Sequence, residues 1–369
     1  MTGPDARCFR ILCRLAAVLS GDGSGTVELE RVDWRCLHTL ADRHRLSGYL
    51  FSRLEDHPLR EAFPPSVLSH WKLRLQQQWV KNRMLMLETA RLVESFDAHG
   101  LELIHMKGPL MGQRLYGRPE VRSVCDIDLL VQHASEVPLI ERCLTACGFQ
   151  RSSRLMVNHR CTRWFTYQLE YWKDGVPVEL HWSFQRDPTQ HFDLERIWSQ
   201  SGTQSLGGCV YRVLSPEDAA VAYTVAVPVD LRLGKLSART LLEISLLLAQ
   251  MPAEKTWDAW LARRLAEGTC RVSAAVVACS LELFGRHPRL EALAQVLSPY
   301  LRRSDCDLIL TGLAAPPSLS AWNWRWQCLK LSDGALPISL AWWALSLPAR
   351  LLAHPTESRR YLRSPGKVA

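Results

Sequence analysis

The chain has 369 residues, of which 47% are hydrophobic, and it carries a formal net charge of +8. This length allows two domains or one large domain with helical extensions, and the hydrophobic content excludes a wholly disordered protein. Arginine greatly outnumbers lysine, which suits anionic substrates, although a GC-rich genome would produce the same bias.

The first hundred residues are predicted to be helical. Apolar residues recur at helical spacing in residues 7–20 and 30–55, and a glycine-rich break at residues 21–25 lies between the two stretches. Residues 66–99 follow as one long amphipathic helix, which Gly100 ends.

The extreme N-terminus does not have the pattern of a secretory signal. Asp5 and Arg7 are charged, and the apolar run at residues 11–19 is interrupted by Cys13 and Arg14. We therefore expect a cytoplasmic protein with reduced cysteines. The cysteine spacing does not match a zinc-binding pattern, so no structural zinc is expected.

A segment of mixed strands and helices is predicted next, from residue 101 to residue 192. Its strands are expected at residues 101–106, 126–132, 149–156, 163–172 and 177–184, and its helices at residues 109–116 and 135–147. Asp174-Gly175 is a strong β-hairpin signal between the last two strands. The predicted fold class is α+β, with a small mixed β-sheet core flanked by N-terminal helices and a C-terminal helical region.

From Leu194 onward the pattern returns to helix. Ser215 suits the start of a helix, because a proline and two acidic residues follow it in the first turn. Further helices are predicted at residues 236–250, 257–267, 271–284 and 290–301. The chain is therefore divided into three regions, residues 1–100, 101–192 and 193–369.

Two segments near the C-terminus carry tryptophans. Residues 336–347 are almost wholly apolar, but the run is shorter than the ~20 residues that span a bilayer, so a core helix is favoured over association with a membrane. Trp322, Trp324 and Trp326 alternate with other residues, which favours a short strand or a packed loop over stacking on nucleic acid. No stable DNA binding is expected.

The predicted strand at residues 126–132 carries the most informative pattern. Side chains at i and i+2 of a strand point to the same face, so Asp126 and Asp128 project together while Ile127, Leu129 and Val131 enter the core. Two carboxylates on one face are costly unless a cation lies between them. Mg²⁺ binds through one or two carboxylates and leaves its other positions to water and phosphates, so this pattern indicates phosphate chemistry.

A third carboxylate lies in the predicted strand at residues 177–184, where Glu179 and His181 share one face. If this strand lies beside the Asp-x-Asp strand, the three acids form a site for two Mg²⁺ ions, with Mn²⁺ as the alternative, that acts in displacement at phosphorus. Glu170 competes for the third position. An Asp-x-Asp pair is also common on half-exposed strands that have no catalytic role.

Other residues around this site are candidates for contacts with phosphate. Gly108 allows the backbone to approach a phosphate closely, Lys107 supplies a positive charge beside it, and Arg122 lies in a basic connector. His181 is expected either to contact the nucleotide, to orient the acid beside it or to be a half-buried histidine without a role. His159 is a further candidate for contact with an acceptor or a phosphate.

These motifs together resemble the uncharacterised bacterial nucleotidyltransferase family of the DNA polymerase beta-like superfamily. The resemblance is carried by Lys107-Gly108, Leu115-Tyr116, Arg122, residues 126–131, residues 147–149 and residues 178–182. It implies that Gly108 belongs to the phosphate-binding turn. It also implies that Asp126 and Asp128 form the metal-binding pair and that Glu179 is the third acid.

The resemblance implies metal-dependent transfer of a nucleoside monophosphate from an NTP to an unidentified acceptor, with release of pyrophosphate. Lys107 and Gly108 would hold the β and γ phosphates, and Arg122 would neutralise charge as pyrophosphate leaves. The acceptor is left open as a small molecule, a sugar, a protein or an RNA end.

The C-terminal half departs from the pattern of this family. Val227 and Glu243-Ile244 lie where a histidine and an Asp-Leu pair are expected. This departure does not touch the three acids. Two other functions stay open beside the transfer reaction: a non-catalytic scaffold that retains the fold and binds a nucleotide or a partner, and a phosphohydrolase that uses the same metal cluster.

Overall fold

The computed structural model describes residues 4–21, 27–152, 166–185, 189–251, 257–285, 287–314 and 322–331. The α-helices are Pro4–Ser20 (α1), Trp34–Arg43 (α2), Ser47–Leu54 (α3), Pro65–Asp97 (α4), Pro109–Tyr116 (α5), Val137–Ala146 (α6), Leu194–Gln200 (α7), Pro216–Arg232 (α8), Ala238–Ala249 (α9), Trp257–Glu267 (α10), Cys270–Phe284 (α11), Pro288–Leu297 (α12), Arg303–Ala314 (α13) and Trp322–Leu331 (α14). The strands are Leu103–His105 (β1), Ile127–Val131 (β2), Gln150–Arg151 (β3), Gln168–Lys173 (β4), Val176–His181 (β5), Gly202–Leu206 (β6) and Cys209–Val213 (β7). Among the described helices, none combines the length and the apolar character needed to cross a bilayer.

The described strands form one seven-stranded mixed sheet in the order β3-β4-β5-β2-β1-β7-β6. Strand β2 is parallel to β5, and β1 is parallel to β7, while the other neighbours are antiparallel. Helices precede and follow the sheet along the chain. The predicted α+β class with helices on both sides of a mixed sheet is confirmed.

The two faces of the sheet contribute to different hydrophobic clusters. Ile127, Leu129 and Val131 of β2 are buried in a cluster that also contains residues of α4 and α6. Ile104 of β1 and Leu130 of β2 point the other way and belong to the large cluster built with the C-terminal helices. Because side chains alternate along a strand, the even-numbered positions of β2 face those C-terminal helices.

The N-terminal helices follow the predicted pattern with one difference. The long helix α4 begins and ends within two residues of the predicted bounds, and Gly100 after it adopts a positive φ of 64°. Residues 30–55 form two helices rather than one stretch, because Arg45 between α2 and α3 has a left-handed φ of 58° that a continuous helix does not allow.

The hairpin between β4 and β5 has the predicted turn. Asp174 and Gly175 have φ values of 48° and 80°, as a type I′ turn requires, and Lys173 pairs with Val176 directly before and after them. This turn fixes the register of β5 against β4, and therefore fixes where Glu179 lies.

The predicted return to helix from Leu194 is wrong for residues 202–213. These residues form the β6–β7 hairpin, whose turn is Gly207-Gly208 with φ values of 62° and 87°. Two successive residues with positive φ are unfavourable in a right-handed helix and suit a tight hairpin turn. Strand β7 then pairs with β1, so the sheet extends beyond the predicted core segment.

The prediction of a strand or loop at Trp322, Trp324 and Trp326 is also wrong, because these residues lie in helix α14. Trp324 is buried, and its indole Nε1 donates to the backbone oxygen of Leu231 at 3.4 Å. Residues 336–347 and His159 lie outside the described residues.

Candidate active site

Asp128 and Glu179 lie side by side in the sheet. They are paired in register on the parallel strands β2 and β5, so both side chains project from the same face. Asp128, Glu179 and His181 each offer a ligand atom, and these atoms all lie within 4.8 Å of one another. Asp126 directly precedes β2 and is not in that group, although its charge interacts with those of Asp128 and Glu179.

Glu170, the competing third acid, lies one strand further from Asp128. It pairs with Glu179 across the antiparallel strands β4 and β5. Since neighbouring strands are about 4.8 Å apart, the backbone of Glu170 is about twice as far from that of Asp128 as the backbone of Glu179 is. The sheet topology therefore favours Glu179.

The side chains of His181 and Lys107 lie beside the carboxylate of Asp128. The ring nitrogen Nε2 of His181 lies 3.2 Å from its Oδ1, and the Nζ of Lys107 lies 3.7 Å from the same oxygen. Burial opposes ionisation of Asp128, but the Lys107 charge and the hydrogen bond from His181 outweigh it and hold the pKa of this carboxyl below its usual range. Asp128 is therefore a permanent anion at neutral pH.

The pKa values of Lys107 and His181 shift upward, opposite to that of Asp128. Burial disfavours the ammonium of Lys107, but Asp128 and neighbouring anions raise its pKa above the ordinary value. Burial likewise opposes protonation of His181, whereas its hydrogen bonds with Asp128 and Glu179 raise its pKa. The Nε2 of His181 lies 3.5 Å from Oε2 of Glu179, so this ring connects the two acids.

The pKa of Asp126 shifts in the opposite direction to that of Asp128. Burial and the carboxylates of Asp128 and Glu179 raise the pKa of Asp126 to about 7. A cation placed among these three acids would remove that repulsion and favour the ionised form. The pair therefore consists of one permanent carboxylate and one that is poised to lose its proton at neutral pH.

The turn after β1 has the geometry that the sequence pattern predicted. Gly108 has φ 88° and ψ −158°, a conformation that strains any residue with a side chain, and a Cβ atom added here would meet no atom within 4 Å. Helix α5 begins at the next residue, so its N-terminal N–H groups and its dipole favour an anion at this turn. The turn combines an open backbone with the Lys107 charge.

Arg122 does not point into the acid cluster. Its Nε and Nη2 donate to both carboxylate oxygens of Glu243 at 3.0 and 3.2 Å, and Nη2 also donates to the Tyr223 hydroxyl at 3.0 Å. Burial opposes the ionised form of Glu243, but Arg122 and Arg239 lower its pKa. Arg122 is thus held in a buried ion pair, from which its charge still lowers the pKa values of Asp126 and Asp128.

An open pocket lies beside the Asp-x-Asp pair, with an empty volume of about 350 Å³ that includes space continuous with solvent. Its polar side is formed by Lys107, Gly108, Asp126 and Asp128. The rest of its lining is mostly apolar or aromatic and includes Met86, Thr89, His105, Leu206 and Tyr211.

Leu206 and Tyr211 were missed from the sequence, because they belong to the β6–β7 hairpin. The Gly207-Gly208 turn, followed by alternating residues, was the signal that could have revealed them. The rings of His105 and Tyr211 make an edge contact with centroids 5.1 Å apart, and burial lowers the pKa of His105 to about 4, so this imidazole is neutral at pH 7.

Asp230 of α8 was also missed. Burial raises its pKa, while the charges of Lys107 and Lys235 act in the opposite direction and Glu179 adds to the increase. Asp230 therefore lies within electrostatic range of the acid cluster. Its signal in the sequence was the pair Asp230-Leu231, downstream of the helix start at Ser215.

The described residues fit a divalent metal ion of the hard, oxygen-binding type. The Oδ2 atom of Asp128 is buried and has no hydrogen-bond partner among them, although a buried carboxylate oxygen is costly when unpaired. Asp126 and Glu179 add further carboxylate oxygens, the ligands that Mg²⁺ prefers, and His181 adds a nitrogen that Mn²⁺ also accepts.

A mixed sheet with strand-borne acids on one face, beside a glycine turn that opens a helix, fits the class of nucleotidyltransferases. The chain belongs to the uncharacterised nucleotidyltransferase family, whose family model matches residues 30–285. The match covers more than half of the chain and includes the whole sheet and the acid cluster. Neither the curated proteins nor the solved structures compared with the chain gave a match.

Proposed function

We propose that this protein transfers a nucleoside monophosphate from an NTP to an acceptor and releases pyrophosphate in a metal-dependent reaction. The observation that carries the proposal is the register of Asp128 with Glu179 on adjacent parallel strands, next to the open turn at Gly108. Membership of a nucleotidyltransferase family supports the same reaction class.

The three acids would bind two metal ions between them. Asp126 and Asp128 would hold the ion that accompanies the triphosphate, and together with Glu179 they would hold a second ion on the acceptor side. When bound, these ions would supply Lewis-acid stabilisation of the attacking and leaving oxygens. His181 acts as a positioning residue, because its ring is buried and hydrogen-bonded to Asp128.

The triphosphate would bind at the turn before α5. The Lys107 side chain is partly exposed and would place its ammonium on the β and γ phosphates, and the backbone at Gly108 would approach them closely. Arg122 would not contact the phosphate directly. Its ion pair with Glu243 would keep its charge close to Asp126 and Asp128. This arrangement keeps a positive charge near the leaving pyrophosphate.

Calorimetric titration of the purified full-length protein with each NTP, with and without Mg²⁺, tests the first half of this proposal. We expect binding that requires Mg²⁺ and that weakens on the order of 100-fold in Asp128→Asn, because the variant loses one charged metal ligand. The variant keeps a side chain of nearly the same size but removes the counterion of Lys107 and His181, so its circular dichroism spectrum and unfolding midpoint are measured beside the titration. Metal-independent binding, or no binding of any NTP, would instead favour the scaffold function.

The transfer step needs a second experiment, because the acceptor is unidentified. The protein is incubated with α-labelled NTP, Mg²⁺ and a lysate from its host, and the label is followed. Label on a new molecule with release of pyrophosphate supports transfer. Label that appears only as free NMP would show that water is the acceptor and would support the phosphohydrolase function instead of transfer.

A further inference from the structure

The outward surface of helix α4 carries an apolar stripe that the described part of the chain leaves exposed. Leu73, Val80, Met84 and Leu87 are each between 50 and 53% exposed. The opposite side of the same helix is buried, with residues such as Trp71, Leu75 and Leu85 in the hydrophobic core. Helix α4 is therefore apolar on two opposite sides, and only one of them is covered by the described part of the chain.

The exposed stripe has a seven-residue repeat. Leu73, Val80 and Leu87 are spaced by seven, and Gln77 and Met84 lie four residues after the first two of them, which is the spacing of the a and d positions of a coiled coil. At 100° per residue, the four apolar side chains fall within an arc of about 60° and extend over about 21 Å of helix. We call these five residues the α4 seam.

Basic residues lie on both sides of the α4 seam. Arg74 and Lys81 are on one side, Lys72 and Arg83 are on the other, and all four are exposed. Arg74 also binds Asp42, with Nη2 3.1 Å from Oδ2. The sequence from residue 65 to residue 87 contains no Asp or Glu, and the first acid after it, Glu88, is 2.7 Å from Lys173.

We infer that the α4 seam docks an amphipathic helix of a partner protein whose own apolar stripe is flanked by Asp and Glu. Four positive side chains beside the stripe select against a second copy of α4, because like charges would face each other across the contact. Trp79, which is 54% exposed on the same helix, lies on the Lys72 and Arg83 side of the stripe. A partner helix with Asp and Glu beside its own apolar stripe matches both the seven-residue spacing and the charge of the α4 seam.

A synthetic peptide tests this inference on the full-length protein. The probe is a labelled helix of about four heptads with Leu at d, Val at a and Glu at e and g, and its binding is followed by fluorescence anisotropy. We expect saturable binding that weakens severalfold when the salt is raised to about 0.5 M, because the flanking charges are exposed. A second peptide with Lys in place of each Glu should bind at least about tenfold more weakly.

The variant that tests the location is Val80→Asp combined with Met84→Asp. Both residues are exposed, so the protein should keep its circular dichroism spectrum and its unfolding midpoint, while its affinity for the acidic peptide falls at least about tenfold. Val210→Asp and Leu265→Asp, at exposed apolar residues elsewhere, are the matched controls and should bind the peptide like the parent protein.

Three results would overturn the inference. One is equal binding of the acidic and basic peptides, and another is peptide binding that the seam variant leaves unchanged. The third is that the α4 seam binds a membrane or a second copy of the chain instead of a partner helix. Vesicles containing phosphatidylserine that bind the parent protein but not the seam variant, without peptide binding, would assign it to a membrane. Dimerisation that only the seam variant loses would assign it to a second copy.

Discussion

At the residue scale, the charge state of the candidate site is set by three acids with different surroundings. Asp128 is held ionised by Lys107 and His181, whereas Asp126 faces two other carboxylates. Glu179 is more exposed than Asp128, and its Oε2 lies 3.5 Å from Nε2 of His181. Asp126, whose pKa is raised by burial and by the other two carboxylates, is the acid whose ionisation a bound metal ion would change most.

Substitution of Glu179 by Gln should reduce Mg²⁺-dependent nucleotidyl transfer on the order of 100-fold, because a charged metal ligand beside Asp128 is lost. Glu170→Gln is the matched control, since the same change is made on the same face one strand away. It should retain activity within a factor of about three. Release of pyrophosphate by both variants is measured against the parent protein. Equal losses in the two variants would show that Glu179 has no special role.

The raised pKa of Asp126 should make the stability of the metal-free protein depend on pH. The folded protein keeps the Asp126 proton up to about pH 7, whereas the unfolded chain loses it near the ordinary aspartate pKa of 3.8. Between these values the folded state binds more protons, so the Asp126 contribution to the free energy of unfolding falls as pH rises. Asp126→Asn removes this contribution.

Urea unfolding in EDTA measures the effect in the parent protein and in Asp126→Asn. We expect the free energy of unfolding of the variant, relative to that of the parent, to increase steadily from about pH 4 to about pH 7 and then to level off. A difference that does not change over this range would contradict the assigned pKa.

The placement of the candidate acids was predictable from sequence, and the partner of Arg122 was not. Because side chains alternate along a strand, the shared face of Asp126 and Asp128 follows from their spacing, and the hairpin signal at Asp174-Gly175 locates the strand of Glu179. The contact of Arg122 with Glu243 joins residues 121 positions apart in the chain. No local pattern encodes such a pair, so Arg122 was expected to contact phosphate directly.

At the element scale, this buried ion pair attaches the connector before β2 to helix α9. The carboxylate of Glu243 also accepts a hydrogen bond from the Tyr116 hydroxyl at 3.1 Å, and it lies 3.5 Å from Arg239. Asn82 of α4 donates to the backbone oxygens of Pro119 and Arg122, at 2.7 and 2.9 Å. The segment that leads into the Asp-x-Asp pair is thus held by polar contacts from both sides.

Glu243→Gln should destabilise the protein by about 3–5 kcal/mol, because it leaves Arg122 as a buried charge without its counterion. Glu120→Gln breaks the more exposed pair with Arg118 and should cost no more than about 1 kcal/mol. Both values are obtained from urea denaturation at neutral pH. A cost for Glu243→Gln as small as that of the control would mean that the pair does not hold the connector in place.

The elements that were predicted wrongly are those whose local pattern fits two structures. Five alternating residues at Trp322–Trp326 suit a strand, but in α14 the same spacing places Trp324 against the backbone of α8, and this tertiary contact decides. The β6–β7 hairpin lies between helices α7 and α8. Because the sequence on both sides of it has a helical pattern, the Gly207-Gly208 turn was not recognised as a hairpin signal. By contrast α10, predicted at residues 257–267, was confirmed because its pattern is long and periodic.

At the scale of the whole molecule, the sheet depends on residues far apart in the chain. Strand β1 lies between β2 and β7, and β7 comes after residue 200. One face of the sheet is covered by α4 and α6, and the other shares its core with helices that follow residue 215. The sheet that carries the candidate site therefore includes strands from both sides of residue 192.

A fragment of residues 101–192 should accordingly fail to fold on its own. It would lack β6 and β7 and would expose the edge of β1, while Ile104 and Leu130 would lose the apolar residues of the C-terminal helices. It would also keep Arg122 without Glu243. We expect the fragment to show no cooperative unfolding transition in urea, whereas the intact chain unfolds cooperatively. A cooperative transition of the fragment with the midpoint of the intact chain would instead establish residues 101–192 as an autonomous domain.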